Sequence, residues 1–266
     1  MHPALSVIFF TTVSGMGYGL LFLLGLLLAI DPGLIGRTAA LLLLATGAAF
    51  AAAGLLSSML HLGQPLRAWR AFSQWRSSWL SREGVAAMVG FAPIGALALC
   101  LWHRASPLCI RALGIAVLAC AMLTVFCTAR IYTSLKTIPR WRHRLVLPGY
   151  ASFALLGGAA WLWMLLAVLH GSEELLRTDA ALLVALGCAA CAVLKHEYWK
   201  SIDAAVPVAS AESATGLGRF GNVRGVEAPH TEENYLTHEM GFVLARRHAA
   251  RLRAIALVLF AVLPVA

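Results

Sequence analysis

The chain has 266 residues, of which 60% are hydrophobic and 12% are charged, and its mean hydropathy is +0.79. Soluble domains carry about 25% charged residues, so this composition excludes a soluble globular protein and indicates an integral membrane protein. The formal net charge of +9 is gathered at the ends of apolar segments. It forms no separate basic domain, which argues against nucleic acid as a partner.

Seven apolar helices account for most of the sequence and predict an all-α integral membrane fold, a single polytopic domain over residues 1–266. In chain order they are about Ala4–Ile30, Thr38–Leu60, Gly84–Trp102, Leu108–Thr128, Val146–Leu169, Ala180–Leu194 and a seventh that starts near Ala249. A span needs about 20 residues, so the seventh is incomplete at Ala266, and eight helices in a longer protein are the alternative. No basic segment or cleavage motif accompanies the first helix, which favours a spanning helix over a signal peptide.

Glycines recur within the predicted helices. Gly15 and Gly19 have the four-residue spacing that lets helices approach closely in lipid. The same packing role is predicted for the other glycines of these helices, Gly17, Gly47, Gly54, Gly157 and Gly158.

The distribution of basic residues predicts the orientation. Loops 61–83, 129–145 and 195–248 lie on the side of the N-terminus, and loops 31–37, 103–107 and 170–179 lie on the other side. Only four of the 21 lysines and arginines belong to the second side: Arg37, Arg104, Arg111 and Arg177. Because cytoplasmic loops carry the excess of Lys and Arg, the N-terminus and the three larger loops are predicted to be cytoplasmic. The loop at about 195–248 is the one sizeable piece outside the membrane.

Cysteines and histidines give no sign of a metal centre in this protein. Cys188 and Cys191 have CxxC spacing but lie within an apolar helix, so we interpret them as packing residues rather than iron–sulfur ligands. None of the nine histidines lies in the middle of a predicted helix, where haem ligands would face each other. Haem is therefore not expected, and no metal site is predicted.

The loop from His61 to Glu83 is dense in polar and aromatic residues. His61 ends the second predicted helix and Glu83 opens the third, so both ionisable groups lie at the edge of the apolar layer, where such groups are functional candidates. They could hydrogen-bond a quinone carbonyl and exchange protons with it. The alternative is structural: Glu83 is stabilised at a helix N-terminus capped by Ser81, and His61 is an interfacial group.

Two further loops carry candidate residues. Arg130 and Tyr132 are interpreted either as interface anchors or as the lining of a polar pocket near His61. The stretch Thr215–Arg224 is rich in glycine but lacks the Gly-Lys-Ser/Thr of a phosphate-binding loop, so it is predicted to be an irregular surface segment. Docking onto a partner is the expected role of the last loop.

The sequence resembles the membrane-anchor subunits of the dimethyl sulfoxide reductase family (DmsC-type). The resemblance is carried by Leu60-His61-Leu-Gly-Gln-Pro65-Leu-Arg67-Ala, by Ser81-Arg82-Glu83 and by Arg130-Ile-Tyr-Thr-Ser-Leu-Lys-Thr-Ile-Pro139. Within the family it is most similar to the anchors of sulfite-oxidising enzymes (SoeC-type), through residues 2–12, 214–221 and 229–235. The family usually has eight helices, one more than the seven predicted here.

This resemblance implies a subunit of a three-subunit oxidoreductase rather than an enzyme that acts on the primary substrate by itself. The partners would be an iron–sulfur subunit and a molybdopterin catalytic subunit, and this protein would bind ubiquinone or menaquinone. His61 would bond one quinone carbonyl, Glu83 would exchange protons, and Arg67, Arg82 and Tyr132 would shape the pocket or contact the partner. The cations expected to dock the partner are Arg70, Arg76, Lys136, Arg140 and Arg142.

Sulfite oxidation on the cytoplasmic side of a bacterial inner membrane is the expected source of electrons. One alternative is a quinol-oxidising anchor of a terminal reductase, with electrons running the other way. A transporter or a scaffold without redox function is the alternative from another class. A transporter should carry charged residues or broken helices near the midplane, and no acidic residue or lysine lies in the middle of a predicted helix.

Overall fold

A computed structural model describes residues 5–60, 64–136, 138–169, 174–205, 210–226 and 247–264, and within these ranges all regular structure is helical. The long helices are α1 (Leu5–Ile30), α2 (Arg37–Met59), α3 (Trp79–Trp102), α4 (Pro107–Thr133), α5 (Val146–Val168) and α6 (Glu174–Asp203). A 3-10 helix, Pro65–Gln74, lies between α2 and α3. After α6 come α7 (Ala211–Thr215), a 3-10 turn (Leu217–Phe220), and α8 (Ala249–Leu257), which continues as a π-helical turn, Val258–Val262.

Six of these helices, α1 to α6, are long and apolar enough to cross a membrane. This confirms the membrane class and the all-α fold. The predicted count of seven spans is not reached in the described part of the sequence. The seventh helix does begin at Ala249, but it runs as α-helix for only 9 residues before the π-helical turn.

Four predicted helix boundaries, on three helices, were wrong, because hydropathy does not register polar helical turns. Helix α3 begins five residues before Gly84, and its N-cap is Ser78 rather than Ser81: the Ser78 hydroxyl accepts from the backbone N–H of Ser81 at 3.4 Å. Helix α4 continues past Thr128 to Thr133 with a basic residue in its last turn, which the helix dipole favours. Helix α6 extends beyond the predicted 180–194 at both ends.

Helix α1 lies at the centre of the bundle. It packs against α2, α4 and α5, while α3 packs on α4 and α6 packs on α5. Its leucines are fully buried by these neighbours: Leu20, Leu21, Leu24 and Leu28 are each 0% exposed. Since lipid supplies no hydrophobic force between helices, tight packing has to hold the bundle together.

Glycines make the closest contacts of α1. A Cβ added to Gly19 would lie 1.8 Å from the carbonyl oxygen of Ala154 in α5, and one added to Gly158 would lie 2.2 Å from the carbonyl carbon of Gly19. A Cβ added to Gly25 would lie 2.6 Å from the carbonyl oxygen of Gly114 in α4. The predicted role of Gly15 was wrong, because a Cβ there would meet nothing within 4 Å.

The Gly19 crossing gives a stability prediction. Gly19→Leu forces α1 and α5 apart, because backbone atoms cannot move aside as side chains do, and we expect a loss of about 1–3 kcal/mol or more in stability. Gly95→Leu is the matched control, since a Cβ at Gly95 meets nothing within 4 Å. Thermal unfolding in detergent should show a lower midpoint for Gly19→Leu alone, and equal midpoints would contradict the prediction.

The C-terminal helix is attached to the end of α6. The Arg253 guanidinium forms a two-bond ion pair with Asp203, at 2.5 and 2.9 Å. Deeper in the bundle, the Cys188 thiol donates to the backbone carbonyl of Phe260 at 3.2 Å. These contacts fix the position of α8 and its π-helical turn against α6.

A candidate ligand cavity at the basic end of the bundle

A cavity of about 670 Å³ opens between α1, α4, α5, α6 and the C-terminal turn. Most of its lining comes from the first half of α1, the last half of α4, the first half of α5 and the last half of α6, and Ala160 and Val184 extend it toward the middle of the bundle. Each of these halves lies at the end of the bundle where α1 begins, which carries most of the cations and is called here the basic end. Small-molecule sites in proteins commonly enclose about 300–1,000 Å³, so the cavity has room for one such ligand.

The lining is mostly apolar and includes several hydroxyl groups. Phe153, Leu156, Val184 and Phe260 contribute apolar surface. The hydroxyl-bearing lining residues are Thr11, Thr12, Ser14, Tyr18, Thr128, Tyr132, Tyr150 and Tyr198. An apolar pocket with a few polar groups is suited to a flat, largely hydrophobic molecule with hydrogen-bonding oxygens.

Tyr18 in α1 carries the one buried side-chain polar atom that has no hydrogen-bond partner among the described residues. Its side chain is 6% exposed, and this atom is the hydroxyl oxygen. The hydroxyl of Thr124 lies near it without forming a hydrogen bond to it, and donates its own proton to the backbone carbonyl of Cys120 at 2.9 Å. A buried polar group without a partner costs about 1–3 kcal/mol, so an acceptor on a bound ligand would relieve an unfavourable contact.

Glu83 in α3 lies behind the cavity wall. It is 4% exposed, in the second turn of α3, and its Oε1 is hydrogen-bonded to the hydroxyl of Thr128, which does line the cavity. The predicted position at the opening of the helix was therefore wrong by one turn. The Thr128 hydroxyl also lies 3.0 Å from the backbone carbonyl of Thr124.

The Thr128 hydroxyl can serve both protonation states of Glu83. An ionised carboxylate accepts the proton of the Thr128 hydroxyl. A protonated carboxyl instead donates to Thr128, which then donates to the Thr124 carbonyl. The carboxyl can thus bind or release a proton without leaving a buried group unpaired.

Aromatic rings line the cavity toward the basic end. Tyr132 and Tyr150 are stacked, with ring centroids 5.5 Å apart, and Trp141 contacts Tyr132 edge to face at 5.1 Å. Lys195 also lines the cavity, with its ammonium 5.0 Å from the centre of the Tyr198 ring. Lys195 was predicted to follow the sixth helix, but it lies within α6, about two turns before the helix ends.

The loop before α5 is held to α6 through His143. Its Nδ1 accepts from the backbone N–H of Leu145 at 3.2 Å, so its Nε2 carries the proton of the neutral ring and donates to the Ser201 hydroxyl at 2.9 Å. Burial and the neighbouring Arg144 guanidinium lower the pKa of His143. The lowered pKa keeps the ring neutral at neutral pH. As the pH falls through that pKa, protonation of Nδ1 removes the bond from the Leu145 N–H, whereas Nε2 still donates to Ser201.

Two of the predicted pocket arginines lie away from the cavity. Arg82 donates to the backbone carbonyls of Trp75 and Arg76, at 2.9 and 2.6 Å, and covers the ring of Trp79 at 4.2 Å. Arg67 is exposed on the 3-10 helix Pro65–Gln74. Neither belongs to the cavity lining.

Other predicted residues are distributed as follows. Tyr132 lines the cavity, and His61 lies outside the described residues. The predicted docking residues Arg70, Arg76, Lys136, Arg140 and Arg142 are all exposed at the basic end. Among the described residues, no group of three or more His, Cys, Asp or Glu side chains is placed to hold a metal ion.

The sequence interpretation missed Tyr18, Thr128 and Lys195. Tyr18 and Thr128 lie inside apolar helices, where a single hydroxyl barely changes the hydropathy. The one available signal was that Tyr18 is the sole tyrosine of the first predicted helix. Buried polar groups in membrane helices are rare and often functional.

An all-helical bundle with six apolar spans defines a polytopic membrane protein, and the cavity at its basic end is a candidate ligand site. The family of DMSO reductase anchor subunits (DmsC) matches residues 1–265, and the protein belongs to this family. This confirms the resemblance drawn from the motifs around His61, Glu83 and Arg130.

Two curated relatives are similar over parts of the sequence. A sulfite dehydrogenase subunit of Allochromatium vinosum is 35% identical over 182 residues, which cover 60% of this protein and 53% of that subunit. A polypeptide of the anaerobic dimethyl sulfoxide reductase of Escherichia coli is 30% identical over 118 residues, 43% of this protein and 40% of that polypeptide. The matches thus span about half the length of these relatives or less. No solved structure matches the protein.

Proposed function

We propose that this protein is the quinone-binding membrane anchor of a three-subunit molybdenum and iron–sulfur oxidoreductase that passes electrons from sulfite to the quinone pool. Family membership supports the anchor role, and the similarity to a sulfite dehydrogenase subunit supports the choice of substrate. One observation carries the quinone assignment. A single cavity presents a buried hydroxyl, on Tyr18, that has no partner among the described residues, and a hydroxyl bonded to a buried carboxyl, on Thr128.

Quinone reduction requires a hydrogen-bond donor to a carbonyl and a group that supplies protons, and Tyr18 and Glu83 can fill these two roles. Tyr18 donates its hydroxyl proton to a quinone carbonyl and so polarises it, since its hydroxyl has no other acceptor among the described residues. Glu83, acting through Thr128, exchanges the proton that reduction requires. His61 is proposed as the partner of the second carbonyl. The apolar walls accept the isoprenoid tail of ubiquinone or menaquinone.

Electrons would arrive at the basic end from partner subunits. Iron–sulfur clusters on one partner and molybdopterin on the other supply the electron-transfer and sulfite chemistry. The exposed cations Arg70, Arg76, Lys136, Arg140 and Arg142 form a docking surface for an acidic face of the iron–sulfur partner. Arg82 supports this surface by ordering the loop in front of α3. The basic end faces the cytoplasm of a bacterial inner membrane under the positive-inside rule.

Filling the cavity tests the quinone assignment directly. Gly15 lines the cavity, and a Cβ added there meets nothing within 4 Å. We expect Gly15→Leu in the assembled complex to reduce co-purifying quinone at least tenfold, because the added side chain occupies the space of the ring. Gly95→Leu controls for adding leucine at an open helical glycine. Normal quinone content in Gly15→Leu would refute the assignment of this cavity.

The runner-up is a quinol-oxidising anchor of a reductase, which the similarity to the Escherichia coli polypeptide favours. The same cavity serves either direction of electron flow. Membranes that contain the complex distinguish the two, because sulfite reduces the quinone pool in the first case and dimethyl sulfoxide oxidises it in the second. A scaffold or transporter would show neither response.

A further inference from the structure

A pair of cysteines lies at the end of the bundle opposite the cavity. Cys100 is in the last turn of α3 and Cys109 is in the first turn of α4, and their sulfur atoms are 3.2 Å apart. Both thiols are partly exposed, whereas Cys127, Cys188 and Cys191 are buried within helices. Among the described cysteines, Cys100 and Cys109 are therefore the two partly exposed thiols that lie next to each other.

The local fold holds these two thiols together. Helices α3 and α4 are packed against each other, and the short link of residues 103–106 joins them. Arg104 takes a left-handed conformation, with φ of 53°, which turns the backbone sharply. The Ser106 hydroxyl then caps α4 by accepting from the backbone N–H of Cys109 at 3.4 Å. A sulfur–sulfur bond is about 2.05 Å long, so small side-chain rotations bring the thiols to bonding distance.

The charge distribution places this pair on the side away from the cytoplasm. The loop between α3 and α4 carries one arginine, Arg104, and the neighbouring cations of that side are few. Under the positive-inside rule this face is exterior. Exterior compartments such as the bacterial periplasm are oxidising, and disulfides form and persist there.

The geometry points to a disulfide bond between Cys100 and Cys109 that closes the α3–α4 hairpin on the exterior face. In this step each thiol loses its hydrogen and one sulfur–sulfur bond forms. The two electrons and two protons pass, by thiol–disulfide exchange, to the disulfide of an exterior thiol oxidoreductase, which leaves as a dithiol. The same two helices carry Glu83 and Thr128 near their other ends. The bond would thus fix the relative position of the pair that forms the cavity's proton-exchanging group.

Peptide mass spectrometry of the complex tests the bond. Membranes are solubilised without reductant in the presence of excess N-ethylmaleimide, and the protein is then digested. We expect a linked peptide pair that contains Cys100 and Cys109, which reduction converts into two free thiols. Both cysteines recovered with maleimide attached before reduction would overturn the proposal.

Thiol labelling in intact cells tests the exterior location. In Cys100→Ser the Cys109 thiol is left without its partner, and a membrane-impermeant maleimide should label it in unbroken cells. The natural protein should be labelled there only after reduction, and Cys120→Ser, a cysteine outside the pair, should behave like the natural protein. Labelling of Cys109 only after the membrane is permeabilised would overturn the exterior placement. Neither experiment depends on quinone binding, so both would still test the disulfide if the protein were found not to bind quinone.

Discussion

Glu83→Gln is expected to lower quinone-linked turnover of the assembled complex about 100-fold, the lower range of what general acid–base groups contribute. Glutamine keeps the size of the side chain and a hydrogen bond to Thr128, so the packing of α3 on α4 should be retained. It cannot bind and release a proton. The loss therefore falls on the proton exchange that accompanies quinone reduction.

Two activities measured on the same preparation separate this loss from a failure of assembly. Oxidation of sulfite with an artificial acceptor that takes electrons from the partner subunits should stay normal, while oxidation with a soluble quinone should fall. Thr128→Ser is the matched control, because serine keeps the hydroxyl that bonds Glu83. Quinone-linked turnover within twofold of normal in Glu83→Gln would rule out this carboxyl as the proton-exchanging group.

Tyr18→Phe is expected to weaken quinone binding and to stabilise the empty protein. The lost hydrogen bond should raise the KM for quinone about tenfold. In the empty protein the hydroxyl is buried without a partner among the described residues, and removing it relieves a cost of about 1–3 kcal/mol. The opposite signs of the two effects distinguish a ligand-binding hydroxyl from a structural one.

Quinone titration and thermal unfolding in detergent measure these two effects. Tyr198→Phe gives the contrast in stability, because the Tyr198 hydroxyl already donates to the backbone carbonyl of Arg140 at 2.8 Å. Its unfolding midpoint should fall, whereas that of Tyr18→Phe should rise. A lower midpoint with an unchanged KM in Tyr18→Phe would show that the hydroxyl serves the fold.

The sequence predicts the six long helices well because lipid requires long apolar segments, which hydropathy detects directly. It predicts their ends less well, since capping by Ser78 and the polar last turns of α4 and α6 depend on hydrogen bonds and charge. The motif around Glu83 singled out this carboxyl at the edge of the apolar layer, but its burial one turn inside α3 could not be predicted from the sequence.

The cavity could not be predicted in this way. It is a gap between four helices and a C-terminal turn, and its shape depends on how closely they pack. Gly15 and Gly19 have the same residue type and lie on the same helix, yet one faces open space and the other touches the backbone of α5. Only the three-dimensional arrangement assigns one to the cavity and the other to the helix crossing.

The contact between Gly19 and Gly158 also bears on energy conservation. It brings the backbones of α1 and α5 together beside the cavity, and under the proposed function we expect a quinone bound there to exchange its protons with the basic end. The proposed sulfite chemistry releases its protons on that same face. Turnover would then move no net charge across the membrane. A voltage-sensitive dye in sealed vesicles would report no membrane potential. The proposed complex would conserve energy only through the reduced quinone that it delivers to other enzymes.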